Sequence, residues 1–402
     1  MAFVGSKSRR CGTPQNWGLI DSRQPAVNYF HNIKNWHSAR LWTQERAWRI
    51  KLAIYALWNN KGGVGKSYLT FQIATEYART HRDRRILVLD LCPQANASGM
   101  LLGGMERGEG VLDLLSRQTP RQTISGYIAD RITSPYVNPR TGERYLINIS
   151  EQNPHTPNNL FLVAGDEQLE IQASRVRGAT LTGPNDAWRI VHTWISDLIE
   201  DIQHSWDQEN TTVFIDCNPS FSIYTELAIS ASDRLMIPFS ADGSSKRSVR
   251  AVLALLYGIT RVPGSLQSEF FLESQRFRLP IPKIYCYIGN RLTQYISSAK
   301  AFRTVVSEIG NEIWSVWKSD PNVFYIHPAG SPSPAVRSGF TKMFQFEIVD
   351  ANTASVVSSS LGRPINHLTA GLYELAGRKV MVNQSQLDKQ QPNIKELVEA
   401  IE

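Results

Sequence analysis

The residues best placed to do chemistry together lie at positions 59–67, which read NNKGGVGKS. Gly62, Gly63 and Gly65 carry no side chain, so their backbone N–H groups can turn toward phosphate oxygens without obstruction. Lys66 can reach the β- and γ-phosphates of a nucleotide, and Ser67 offers a hydroxyl to Mg2+. Val64 and Tyr68 complete the set of residues that would line the phosphates. A helix starting at Lys66 adds the positive end of its dipole. Farther along, Asp90 and Asp216 each end an apolar run, as does Asn290. A carboxylate at such a place can hold the water shell of Mg2+, and an Asn can both donate to and accept from the edge of adenine.

These residues need a scaffold, and the apolar pattern supplies one. Residues 52–58 (LAIYALW) read as a buried strand, 66–79 as a helix with Leu69, Ile73, Ala74 and Tyr77 on one face, and 85–90 (RILVLD) as a second strand. Strand, helix and strand in that order predict a right-handed parallel unit. Residues 212–216, 234–239 and 283–290 have the same continuously apolar character, with 323–327 as a shorter candidate. Strands apolar on both faces belong in a parallel sheet covered by helices. The covering helices are expected at 187–202, 247–257, 298–309 and 366–376. Residues 127–159 are polar and Pro-rich, an excursion at the sheet edge. Residues 330–334 read as a loop and 392–402 as a short acidic helix. The fold class is therefore α/β, a doubly wound, mostly parallel sheet flanked by helices. In such sheets ligands bind outside the carboxyl ends of the strands, where Asp90, Asp216 and Asn290 fall.

With its additional Lys61, the segment KGGVGKS resembles the deviant Walker A motif of the ParA/MinD family of ATPases. The sequence DLCPQANAS at 90–98 is similar to that family's D-x-D-P-Q-x-N-x-T/S segment, and FIDCNPS at 214–220 to its Walker B segment. The likeness runs over about residues 52–376, through 158–164, 225–228, 231–238, 350–352 and 362–365. It implies a P-loop ATPase of the partitioning type, with ATP and Mg2+ as cofactors. Gly62, Gly63, Val64, Gly65, Lys66, Ser67, Tyr68 and Asn290 would bind the nucleotide. Ser67, Asp216 and Asp90 would serve the metal, and Lys61, Lys66 and Asp90 catalysis. It also implies an ATP-dependent sandwich homodimer, in which Lys61 reaches the partner's nucleotide as an arginine finger does. A ParB-like or other activating partner, non-specific DNA binding and a cytoplasmic, nucleoid-associated location follow from the same likeness.

One position departs from the pattern. Where the family carries a second Asp to position the attacking water, this chain has Cys92. A thiol with a pKa near 8.5 is mostly neutral at pH 7 and replaces a carboxylate poorly. Either Asp90 or another group serves hydrolysis, or ATP is bound and hydrolysed very slowly. The first reading gives a cycling ATPase that positions or segregates DNA or other cargo. The second gives an ATP-locked dimeric scaffold or switch in a multi-protein assembly.

Charge divides the chain unevenly. The 402 residues carry a formal +7, but residues 1–50 alone hold eight Lys/Arg against two acidic residues. They also hold Trp17, Trp36, Trp42 and Trp48. The reading is a basic, Trp-rich extension at 1–50 followed by an ATPase domain at 51–402, with an insertion near 128–157. The extension could pack its Trp residues on a partner or grip nucleic acid. In the nearly neutral remainder, the candidate DNA contacts are Lys246, Arg247 and Arg250, Arg276 and Arg278, Lys300 and Arg303, and Arg337 and Lys342. No run of 18 apolar residues exists, and 393–402 lacks the basic amphipathic pattern of a membrane-binding helix, so no membrane role is expected. Four widely spaced Cys fit a reduced compartment.

Overall fold

Val, Ile and Leu runs of five to seven residues become strands because both their faces can be covered. The computed structural model describes residues 52–402 apart from 208, 263 and 293–295. Readings made on residues 1–50, and on the side chain of Lys300, lie outside the described residues.

The main sheet has eight strands in the order β3-β4-β2-β5-β1-β6-β7-β8. They are β1 (Leu52–Leu57), β2 (Arg85–Leu91), β3 (Ile147–Asn148), β4 (Leu160–Val163), β5 (Thr211–Cys217), β6 (Arg234–Ser240), β7 (Lys283–Leu292) and β8 (Gln345–Val349). All neighbours run parallel except the short edge strand β3, which pairs antiparallel with β4. In this register Asp90 of β2 lies directly beside Asp216 of β5, and Leu57 of β1 lies on the other side of Asp216. The carboxyl ends of three adjacent strands thus converge, and the P-loop leaves β1, at one side of the three.

Helix α1 (Lys66–Thr80) follows the P-loop. Its Leu69, Ile73 and Tyr77 pack into one buried cluster with Leu387, Ile394 and Leu397 of a long C-terminal helix. The next helices are α2 (Asn96–Leu101), α3 (Met105–Ser116), α4 (Ile124–Thr133), α5 (Gln168–Leu181), α6 (Ala187–His192), α7 (Trp194–Ser205) and α8 (Ile223–Ala231). They are followed by α9 (Ser245–Tyr257), α10 (Glu269–Phe277), α11 (Ile296–Ser319), α12 (Arg337–Phe344), α13 (Thr353–Ser360) and α14 (Gln384–Glu399).

Four expectations need correction. The helix expected over 187–202 is broken at Thr193, whose hydroxyl donates back to the Ile190 carbonyl at 2.8 Å and competes with the helical ladder. Residues 323–327 form no strand. A 3-10 turn (Pro321–Val323) leads into a single bridge from Phe324 to Ile284, because β8 occupies the neighbouring edge of β7 from Tyr287 onward. Residues 366–376 are not helical. A 3-10 turn at Ile365–His367 is followed by a hairpin, β9 (Gly371–Leu375) and β10 (Arg378–Val382), turning through Ala376 and Gly377, both with positive φ. Finally, the C-terminal helix begins eight residues before Pro392, which sits inside it. Its start is fixed by a capping box between Asn383 and Gln386.

Close backbone approach fixes α3 against α2. A Cβ at Gly108 would lie 2.1 Å from the Gly99 carbonyl oxygen, whereas a Cβ at Gly178 in α5 meets nothing within 4 Å. Gly108→Ala should therefore lower stability by about 2 kcal/mol or more. Gly178→Ala should raise it by about 0.5–1 kcal/mol through helix propensity. Urea unfolding of the two variants checks the contrast, and equal effects would contradict it.

Candidate functional site

The P-loop is shaped by glycine where the backbone requires it. Gly63 and Gly65 adopt φ of 74° and 82°, and Gly65 is the left-handed residue from which α1 starts. Gly62 and Gly63 have open space where a Cβ would be, so their backbone faces a vacant volume. Val64, by contrast, is buried and anchors the loop from below. Two buried amides brace it. Asn59 donates to the Pro238 carbonyl at 2.7 Å, and Asn290 donates to the Val64 carbonyl at 2.9 Å.

Lys66 is only 6% exposed, and its ammonium donates to the Lys61 carbonyl at 3.0 Å. Burial pulls its pKa below the ordinary value, against the attraction of Asp216 and of the thiols of Cys217 and Cys92. The Ser67 hydroxyl donates to Asp216 Oδ2 at 2.7 Å, and Thr70 donates to Asp216 Oδ1 at 3.3 Å. Asp216 is fully buried, and burial followed by repulsion from Asp90 pushes its pKa up. A hydroxyl and a carboxylate side by side are the oxygen donors a hard divalent cation takes. Among the described residues no group of three or more His, Cys, Asp or Glu could hold a metal. A cation here would complete its shell with phosphate and water, as Mg2+ commonly does. The residues fit both groups: Ser67 and Asp216 would hold Mg2+, and the loop N–H groups and Lys66 the phosphates.

Asp90 is equally buried but differently occupied. Its Oδ1 accepts from the Cys92 N–H at 3.1 Å. Its Oδ2 accepts from the Ser98 N–H at 2.9 Å and the Ser98 hydroxyl at 2.8 Å. It therefore closes the 92–98 turn onto the end of β2. Gly165 allows this, since a Cβ there would come within 3.0 Å of both Ala95 and the Asp90 carboxyl carbon. Cys92 lines the same cleft. Burial, together with Asp90 and Asp216, pushes its thiol up to about 12, so it is neutral at physiological pH.

The cleft has a volume of about 460 Å3 and runs from Gly63, Gly65, Lys66 and Ser67 past Cys92 to Glu109 and Tyr68. The Tyr68 hydroxyl is held by Gln390 of α14 at 2.6 Å, and Gln390 in turn donates to the Val349 carbonyl at 2.7 Å. Asn290 is a buried brace of the P-loop. It is 1% exposed, its nitrogen is engaged by the P-loop, and its Oδ1 is buried without a partner.

Lys61 does not point into the cleft's phosphate end. Its ammonium is ion-paired with Asp242 and also donates to Ser240 at 3.2 Å and Ser245 at 3.3 Å, in the turn between β6 and α9. Partial burial of Asp242 is outweighed by hydrogen bonds from Lys61, Ser240 and Ser244, which hold its carboxyl well below the usual range.

Sequence reasoning brought together Lys66, Ser67, Asp216 and Asp90. It quoted Asn59 within the P-loop segment without a role, and it overlooked Asp242, Glu109 and Gln390, which carry no motif of their own. Of the basic clusters, Lys246 pairs with Glu308, Arg250 with Glu312, which Arg261 also meets, and Arg276 with Glu273. The charges of those three cluster residues are neutralised locally. Among the described residues no helix is long and apolar enough to cross a membrane.

The profile of a family described as an AAA domain matches residues 52–270, more than half of the chain. An uncharacterised protein of Pseudomonas putida is 26% identical over 224 residues, covering 55% of this chain and 67% of its own length. The chromosome partitioning protein ParA of Myxococcus xanthus is 25% identical over 265 residues, 66% of this chain and 73% of that one. The ParA of Caulobacter vibrioides is 24% identical over 223 residues, 55% and 67% respectively. Among solved structures, an ATP complex of a Cyanothece McdA variant superposes with a TM-score of 0.53 at 14% identity. It covers 88% of this chain and 98% of that one. At that identity the likeness bears on fold alone.

A carboxylate buried beside another carboxylate is destabilising when ionised. Because the folded-state pKa of Asp216 lies above the unfolded value, this loss grows as pH rises from about 4 and is complete above the folded value of about 7. Asp216→Asn should thus leave the melting temperature of the nucleotide-free protein unchanged or higher at pH 8, while abolishing Mg2+-dependent ATP binding. Thermal melts at pH 8 and pH 5, with and without Mg2+-ATP, test both halves. A melting temperature several degrees lower at pH 8 would contradict the assignment.

Proposed function

The chain belongs to the AAA-domain family of ParA/MinD-type P-loop ATPases, and we propose that it is an ATP-dependent dimerisation switch with slow hydrolysis. On this reading it positions or segregates DNA or another cargo. The observation that carries the proposal is the contact of Ser67 with Asp216 beneath the Gly63–Gly65 turn, a preformed place for the phosphates and Mg2+ of ATP. Bound Mg2+ would supply Lewis-acid stabilisation of phosphate charge. Lys66 neutralises phosphate oxygens and orients them toward the helix N-terminus. Asp216 and Ser67 are the residues that would hold the metal and its water shell. Lys61 is the residue that would serve the partner's nucleotide. To do so it must leave Asp242, Ser240 and Ser245, so dimerisation exchanges one set of contacts for another.

Slow turnover follows from the acid–base inventory. Cys92 is a neutral thiol, and both Asp90 oxygens accept hydrogen bonds from the 92–98 turn. Cys92 carries no thiolate and Asp90 is held onto its own turn, so neither is well placed to take a proton from water. This favours, as a second reading, an ATP-locked dimer that acts as a scaffold and hydrolyses little. A ParB-like or other protein partner, and DNA on the dimer surface, are further parts of the proposal. The ParA names of the Myxococcus and Caulobacter relatives support them.

Molar mass by light scattering in ATP, ADP and no nucleotide, beside phosphate release, tests the proposal. A dimer only with Mg2+-ATP and a low basal rate are expected. Cys92→Asp should raise turnover about tenfold or more, in the range a positioned base supplies. A chain that remains monomeric with Mg2+-ATP would sink the switch. Robust wild-type turnover would sink the locked dimer. A second outcome concerns Lys61. Asp242→Ala removes a half-exposed ion pair, so the ATP-dependent dimer should form about two- to fivefold more readily. Sedimentation equilibrium reads that shift, and weaker dimerisation would show that Asp242 supports the interface instead.

A further inference from the structure

Parallel strands put their amino ends at the edge of the sheet opposite the P-loop. There a second cleft, about 500 Å3, lies between the end of α1, the loop leading into β4 and the loop after α13. Its walls carry Arg79, Arg82, His155, Arg363 and His367, and no carboxylate lines it. The chain builds it deliberately. The Asn159 amide ties down the carbonyls of Ala78, His81 and Arg84 at 3.0–3.1 Å, fixing the turn that presents Arg82. Asn153 donates to the carbonyls of Leu101 and Gly362, fixing the loop that presents Arg363.

The charges are not all spoken for. Arg79 is paired with Glu76 at 2.6 Å, which suits a cation in the last turn of a helix. Among the described residues neither Arg82 nor Arg363 has a carboxylate partner, and Arg363 Nε is buried with no hydrogen bond. The local field is positive. Burial and then Arg363, His367 and Arg107 hold His155 below its ordinary pKa. His367 is likewise lowered, by burial and by Arg79 and Arg363, against an opposing effect of Glu76. Guanidinium groups without counter-ions around a concavity are relieved by an anion, and their planar forks match phosphoryl oxygens in pairs. The volume is that of a small-molecule site. No aromatic ring other than the two imidazoles lines it, so it lacks the stacking platform of a strand-binding groove.

We propose that this cleft is a second anion site, separate from the P-loop, that takes a small phosphate-bearing ligand gripped by Arg82 and Arg363. The ligand chemistry is a phosphoryl dianion or pyrophosphate group, either free or as the phosphate tail of a nucleotide. Its place at the far edge of the sheet leaves the P-loop unobstructed, so both can be filled at once.

Calorimetric titration of the full chain with pyrophosphate tests this. Two sites per chain are expected in the wild type, and one in Lys66→Ala, which silences the P-loop. One site is also expected in the Arg82→Gln/Arg363→Gln double variant, with the P-loop site unchanged. In the Lys66→Ala background each single Arg→Gln change should weaken pyrophosphate about tenfold, as loss of a charged hydrogen-bond pair does. Arg363→Lys should weaken it less than Arg363→Gln, while Arg175→Gln on α5 should have no effect. Competition by ADP in that background identifies a nucleotide tail as the ligand, and lack of competition a free phosphate; either supports the site. Loss of all pyrophosphate binding in Lys66→Ala, or wild-type affinity in the double variant, would overturn it. So would a short DNA duplex that binds through Arg82 and Arg363 more tightly than pyrophosphate. Because the double variant keeps its P-loop, ATP-dependent dimerisation in it reports separately on the proposed switch.

Discussion

Two carboxylates, Asp216 and Asp90, are buried side by side at the ends of adjacent parallel strands, and the surrounding structure exists to make that tolerable. Ionised groups so placed repel each other and lose hydration. The chain answers by giving each its own donors. Asp90 takes the backbone and hydroxyl of the 92–98 turn, and Asp216 takes Ser67 and Thr70 from the first turn of α1. Lys66 lies close enough to pull against the burial of both itself and Asp216. What remains is a cluster short of positive charge beneath a loop short of negative charge. A metal and a polyphosphate together correct both deficits, which neither corrects alone.

That division separates two carboxylates that look alike in the sequence. Asp216 keeps its oxygens toward hydroxyls that can rotate away when a cation arrives. Asp90 is committed to main-chain N–H groups, which cannot leave without unfolding the turn. Asp90 therefore holds together the 92–98 turn, which carries Cys92, Gln94 and Asn96. The same burial that raises the pKa of the Cys92 thiol makes it inert.

The long helix α14 explains why residues so far from the P-loop matter to it. Its Leu387, Ile394 and Leu397 share a core with α1, and its Gln390 holds the Tyr68 hydroxyl at the mouth of the nucleotide cleft. A displacement of α14 would be felt at the second residue after Lys66. On the opposite edge, the loops that enter β2 and β4 are held by Asn159 and Asn153 through main-chain carbonyls. One sheet thus presents two separately braced ends.

The glycine spacing, the Lys-Ser pair and the continuously apolar strands settled the P-loop, the parallel sheet and the placement of Asp90 and Asp216 at strand ends. These features are local, and periodicity or steric freedom alone dictates them. The hairpin at 371–382 and the start of α14 were less readable. Ala-Gly is a weak turn signal, and an internal Pro masks a helix whose stability comes from packing on α1. Tertiary structure alone decided the rest. Lys61 rests on Asp242, 181 positions away, Asn290 braces Val64, and Asp90 is consumed by its own turn. Arg82 and Arg363 meet across one cleft. Pairings of this kind depend on which loops the sheet order brings together, and no residue spacing encodes that order.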